Sequence, residues 1–118
     1  DWLVGDAAIA LKHLFKTPLV ATIHATEYGR HNGLYHDTHF YVSGKERDLV
    51  FNAWRVIVCT NYMRLEVERA LHAPWNKIDV VYNGIRPEKK LLSADFDYWA
   101  FRRRFAEDGE KIVYYVGR

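Results

Sequence analysis

The chain has 118 residues, 49% of them hydrophobic and 15% aromatic, which is ample for a folded core and excludes a disordered segment. Its 17 Lys and Arg stand against 15 Asp and Glu, and a formal charge of +2 is too balanced to gather nucleic acid. A single cysteine excludes an internal disulfide, no apolar run approaches the roughly 20 residues of a membrane span, and no basic-then-apolar leader opens the chain, so the expectation is a soluble, cytoplasmic protein.

In chain order, Leu3, Ala7, Ala10, Leu11 and Leu14 recur at spacings of three and four, predicting a helix from Trp2 to Phe15 with one buried face. Thr17-Pro18 ends it. Leu19 to Ile23 is a short apolar, β-branched run that reads as a parallel strand covered on both faces. Residues 26–38, with Gly29, Gly33 and Arg30-His31-Asn32, have loop composition with room for one helical turn. A second helix is expected from about Phe40 to Trp54, leading into a strand from Arg55 to Thr60. The Thr60 hydroxyl is placed to cap a third helix, whose buried face is Met63, Val67 and Leu71 and whose outer face is Arg64, Glu66 and Glu68. Pro74 closes that helix, Lys77 to Tyr82 is a third strand, and Asn83-Gly84 opens a loop. Phe96, Trp99, Ala100, Phe101 and Phe105 mark a short amphipathic helix carrying Arg102-Arg103-Arg104, and Lys111 to Arg118 is expected as a fourth strand. There is no internal repeat. Alternating helices and strands predict an α/β fold: an open parallel sheet with right-handed helical crossovers. The chain opens on a helix and closes on a strand, which suggests a piece of something larger.

Ligands of open parallel sheets bind beyond the carboxyl ends of the strands. This directs attention to His24 through Arg30, to Asn61 and Tyr62, and to Asn83 and Gly84. His24, Glu27, Tyr28, Gly29 and Arg30 gather a base, a carboxylate, a phenol, a flexible residue and a guanidinium in one short stretch, a set suited to a polyhydroxyl ligand. The plainer alternative is that His24 ends a strand while Glu27 and Arg30 form an exposed ion pair. His24, His31, His36 and His39 with Glu27 and Asp37 match no HExxH or Cys-His pattern, so no metal site is expected. Cys59, in an apolar run, is expected as a small buried hydrophobe, the triple arginine as a solvated helix face, and Trp54, Trp75 and Trp99 as core or helix-packing residues.

Pro18-Leu19-Val20-Ala21-Thr22-Ile23-His24-Ala25-Thr26-Glu27 resembles the strand and histidine loop of family-4 retaining glycosyltransferases, the broad group that includes bacterial glycogen and starch synthases. Asp1-Trp2 resembles the end of the His-Asp-Trp motif of the glycogen synthases. Val56 to Arg64 and Lys77 to Ile85 resemble the family's next two strand-loop units, and Val113 to Arg118 the first strand of its second domain. The resemblance implies a GT-B fold. Residues 1–85 are then the C-terminal half of an acceptor-side Rossmann-like domain, 86–110 an interdomain linker with a short helix, and 111–118 the first strand of a truncated donor-binding domain.

It also implies a parent enzyme that moves a glycosyl unit, with retention, from a nucleotide sugar, ADP-glucose or UDP-glucose, to an acceptor such as an α-glucan, with no metal or cofactor. By the same resemblance His24 lies at the reacting sugar, Asp1 and Glu27 to Arg30 shape the acceptor side, Asn61, Asn83 and Gly84 line the cleft, and Arg118 meets the donor diphosphate. The family's early Gly-rich loop, the lysine after that arginine and the Glu-x7-Glu pair are not in the sequence, so the chain by itself is expected to be inactive. A non-catalytic carbohydrate-binding or assembly module is the alternative. The Ile112 to Val116 run, without its neighbours, is expected to dimerise or swap strands.

Overall fold

The computed structural model describes residues 2–86 and 92–116. Two compact units divide the chain, residues 1–84 and 85–118, and each is described by itself.

In the first unit a turn of 3-10 helix, Trp2–Val4, runs into α1 (Gly5–Phe15). It is followed by β1 (Val20–Ile23), α2 (Glu27–His31), α3 (Asp37–Asn52), β2 (Arg55–Val58), α4 (Asn61–Leu71), a 3-10 turn Trp75–Lys77, and β3 (Ile78–Val80). The strands form a parallel three-stranded sheet in the order β1-β2-β3, with Ala21 beside Val56 and Val56 beside Ile78. Helical crossovers join them, as the alternation in the sequence requires.

Local chemistry accounts for the helix ends. Thr60 Oγ1 accepts the Met63 N–H at 3.0 Å, the cap expected from the sequence. Left-handed residues end three helices: Lys16 at α1, Asn32 at α2 and His72 at α4. Such a residue turns the chain back and satisfies the last carbonyls, as where the Asn32 N–H donates to Tyr28 O.

The core is Ala21 and Ile23 of β1, Val56 and Val58 of β2 and Ile78 of β3, packed on Leu49 and Val50 of α3 and Val67 and Leu71 of α4, with Ala53 and Ala73. Burial therefore alternates along β1 and β2, and the strands are not covered equally on both faces as expected. Val20 is exposed and Thr22, Arg55, Ile57 and Asp79 are half-buried, because the packed helices fill one side of the sheet. The predicted buried stripe of α1 is also corrected: Leu3, Leu11 and Leu14 are exposed. That helix is held elsewhere, by Gly5 against Leu49, by Lys45 Nζ to Asp6 Oδ2 at 2.8 Å and by Lys12 Nζ donating to Asn52 O at 2.7 Å.

Further departures concern side chains. Glu66, expected on the outer face of α4, turns toward α2, while Glu46 is buried on α3. Trp54, Trp75 and Trp99 are all more than half exposed, Trp75 lying under the Arg64 guanidinium at 5.4 Å. In the second unit α5 (Tyr98–Arg102) is capped by Asp97, whose Oδ1 accepts the Ala100 N–H at 2.9 Å. Its arginines are locally engaged: Arg102 donates to Glu107 O at 2.8 Å, Arg103 pairs with Asp108 at 3.1 Å, and Arg104 lies over Phe101 and Phe105. Residues 111–116 are not a strand, since no neighbouring strand in the described residues supplies the backbone partners that a strand needs. Asp1 and Arg118 lie outside the described residues.

Burial is the largest influence on Glu46 and raises its carboxyl above the ordinary value of 4.5, while the Glu27 amide and Arg30 oppose the shift. A folded value above the unfolded one means that the fold favours the protonated form. The Glu46 contribution is thus full below 4.5 and fades as pH rises through the raised value. The stability of Glu46→Gln minus that of the unsubstituted chain, measured by urea unfolding, is expected to grow between acidic and neutral pH. Glu46→Ala is expected to cost about 1–3 kcal/mol at neutral pH, because it leaves the part-buried Glu27 N–H without its acceptor.

Candidate functional site at the strand carboxyl ends

Parallel pairing brings the first residues after all three strands to one edge of the sheet. His24 follows β1, Cys59 follows β2, and Asn83 lies three residues beyond β3. These join in a chain across the sheet: Cys59 Sγ lies 3.5 Å from His24 Nδ1 and 3.4 Å from Asn83 Oδ1. The thiol is half-buried, corrected from the buried hydrophobe expected, because it sits just past the strand instead of within it. Its contacts leave the exposed His24 with Nε2 unpartnered among the described residues. Alongside, Asn61 Nδ2 donates to Tyr82 Oη at 3.1 Å. Gly84 is exposed, with nothing within 4 Å of the place where a Cβ would stand.

The loop after β1 is held from beneath by two carboxylates. Thr26, fully buried, caps α2 by accepting the Gly29 N–H at 2.9 Å, and its own hydroxyl donates to Glu66 Oε1 at 2.5 Å. The Glu46 carboxylate, 1% exposed, accepts the Glu27 N–H at 3.0 and 2.9 Å through its two oxygens. Arg30 NH1 lies 3.6 Å from Glu46 Oε1 and 3.3 Å from Glu27 Oε2. Glu27 and Arg30 therefore belong to the fabric between α2 and α3. The ion pair in the plainer sequence reading is present, with a buried third member that spacing did not disclose.

Tyr28 takes another direction. With Asn32 it lines a pocket of about 370 Å³ whose other wall is Tyr62, Leu65, Glu66, Arg69 and Ala70 of α4. Two phenol rings with an amide, a carboxylate and a guanidinium offer apolar faces and hydrogen-bonding groups in one cavity, the combination that suits a polar ring. Gly29 permits this close packing: a Cβ there would overlap Glu66 Oε1 and lie 2.7 Å from its Cδ. The structure thus joins His24 to Asn83 and Tyr28 to Tyr62, and directs Glu27 and Arg30 to α3. Sequence reasoning missed Cys59, Glu46 and Glu66 as site-building residues. The helical spacing of Ser43, Glu46 and Val50 on α3 was the available sign that Glu46 shares a face with the core.

Residues 2–89 match the family described as Glycosyltransferase Family 4. The chain belongs to that family. Its α/β sheet with helical crossovers accords with the Rossmann-like half-domain of a GT-B protein. Over all of its length this family-4 chain is 32% identical to an uncharacterized glycosyltransferase of Methanocaldococcus jannaschii, of which it covers 31%. It is 35% identical to a glycogen synthase of Mycobacterium tuberculosis, of which it covers 27%. The family-4 chain therefore spans less than a third of the length of these relatives. No helix among the described residues is long and apolar enough to cross a membrane.

Gly29→Ala in this family-4 chain should displace the Glu66 carboxylate and break its bond from Thr26, lowering stability by about 1–3 kcal/mol. Adding Glu66→Ala removes the clash, so the double variant should lose less than the two single losses added together. Chemical denaturation of the four chains measures that coupling.

Proposed function

We propose that this chain is the acceptor-side portion of a retaining glycosyltransferase that transfers a glucosyl unit from ADP-glucose or UDP-glucose to an α-glucan. The observation that carries the reading is the convergence of His24, Cys59 and Asn83 at the carboxyl edge of the parallel sheet, where such sheets bind their ligands. Family membership and the likeness to a glycogen synthase support the choice of substrate class.

In this reading His24 presents Nε2 to a sugar hydroxyl at the reacting centre while the contact to Cys59 orients its other nitrogen. Tyr28 of the pocket receives the acceptor, and by the family resemblance Asp1, Glu27, Gly29 and Arg30 contribute to the acceptor side. Asn61, tied to Tyr82, with Asn83 and Gly84 lines the cleft. Arg118 offsets diphosphate charge as the C1–O bond to the donor breaks and the acceptor oxygen takes its place at C1. The acceptor proton leaves with the nucleoside diphosphate. The reaction asks for no metal, and the chain by itself is inactive because most donor-side groups are outside its sequence.

Titration of the isotope-labelled chain with maltoheptaose, with ADP-glucose in parallel, tests the acceptor assignment. Amide shifts concentrated at His24 to Arg30 and Tyr62 are expected with the oligosaccharide, and His24→Ala should weaken the binding about tenfold, the loss of a substrate hydrogen bond made by a site group. A folded spectrum unmoved by maltoheptaose overturns the α-glucan acceptor.

The same reading places 111–118 in the donor domain, and apolar side chains of its strand-forming run are exposed: Val113 is 95% exposed and Tyr114 81%. Pairing of this segment between copies should make the weight-average mass rise with concentration in sedimentation equilibrium. Val113→Lys should return the mass to that of a monomer.

A further inference from the structure

We propose that Glu27, His31 and His39 form a binding site for one divalent cation of the zinc class, a cation that takes no part in the proposed transfer step. One ligand atom from each of these three residues lies within 4.8 Å of the others. Glu27 and His31 stand one turn apart on α2, and His39 enters from the first turn of α3. The sequence spacing alone concealed the site, because the third donor comes from the next helix and only the reversal at Asn32-Gly33 brings it back.

Two features favour coordination over an ordinary surface cluster. First, His31 Nε2 and Glu27 Oε1 are 3.3 Å apart. Two ligands bound about 2.0–2.1 Å from a tetrahedral zinc lie about 3.3–3.4 Å from each other, so this pair already has the spacing of a coordinated edge. Second, the Glu27 carboxylate is divided: Oε2 faces Arg30 at 3.3 Å, while Oε1 faces the histidines.

The rings of His31 and His39 are stacked, with centroids 4.1 Å apart and planes inclined by 13°. Parallel rings cannot both aim an in-plane lone pair at one ion. Binding therefore requires one ring to rotate out of the stack. Besides that stack, His39 meets the edge of His36, at 5.0 Å between centroids, and the Tyr35 N–H, 3.3 Å from its Nδ1. Two imidazoles and one carboxylate are a borderline-soft donor set, which selects zinc-class ions over magnesium or calcium.

Zinc chloride titrated into the 118-residue chain by calorimetry at pH 7.5 tests this site. One ion per chain is expected, with His31→Gln and His39→Gln each weakening binding at least about tenfold and His13→Gln, on α1, leaving it unchanged. Ring-proton NMR of the unsubstituted chain gives a readout that does not depend on how a variant folds: zinc should move the signals of His31 and His39 and leave those of His24. The assignment is overturned if both glutamine variants bind as the unsubstituted chain does, if the signals of His24 move in place of the others, or if no zinc is taken up at about 1 mM.

Discussion

The buried carboxylate of Glu46 is the constraint on which the site depends. Its oxygens take the amide hydrogen of Glu27, the first residue of α2, and lie within reach of Arg30 one turn later. A five-residue helix has little stability of its own. This one is fixed because a charge that α3 keeps out of water has its acceptor capacity met mainly by the start of α2. The cost of burying Glu46, visible as its raised pKa, is the counterpart of a loop whose position is specified.

Glu66 performs a related task from α4. Its bond from Thr26 ties the helix cap of α2 to the helix that forms the opposite wall of the pocket. The loop after β1 is thereby held between α3 and α4, the two helices that also cover the buried side of the sheet. Core packing and placement of the strand-end residues are consequently not separable. The apolar contacts of Leu49, Val50, Val67 and Leu71 set where Glu46 and Glu66 stand, and those carboxylates hold Thr26 and Glu27, the start of the helix that carries Tyr28.

Much of this organisation was legible in the sequence. The alternation of elements, the Thr60 cap and the buried face through Val67 and Leu71 follow from periodicity and capping chemistry, both local rules. The family resemblance rested on ordered strings after each strand, and the match over residues 2–89 agrees with it. What could not be read was chiefly relational. Glu46 and Glu66 look like ordinary helix-surface charges until the position of α2 is known. Cys59 reads as the end of an apolar run until β2 stops at Val58. The exposed stripe of α1 and the exposed apolar run at 112–116 mislead in the opposite sense, since an apolar pattern states a preference for burial and does not supply the surface that satisfies it.

The uneven covering of the sheet has a consequence for the fidelity of strand pairing. On the less buried face Ile57 pairs across to Asp79, and Arg55, two residues before it, donates through Nε to Asp79 Oδ2 at 2.7 Å. As a bond between partly exposed groups this pair adds little stability. Its value lies in what it forbids. Sliding β3 by one residue along β2 would carry Asp79 to the side occupied by Val56, Val58 and Ile78, and would bring its charge among apolar groups without its guanidinium. A single acidic side chain on the open face thus acts as a phase marker for the sheet, rejecting the slipped alignment that a short, uniformly β-branched strand would otherwise tolerate.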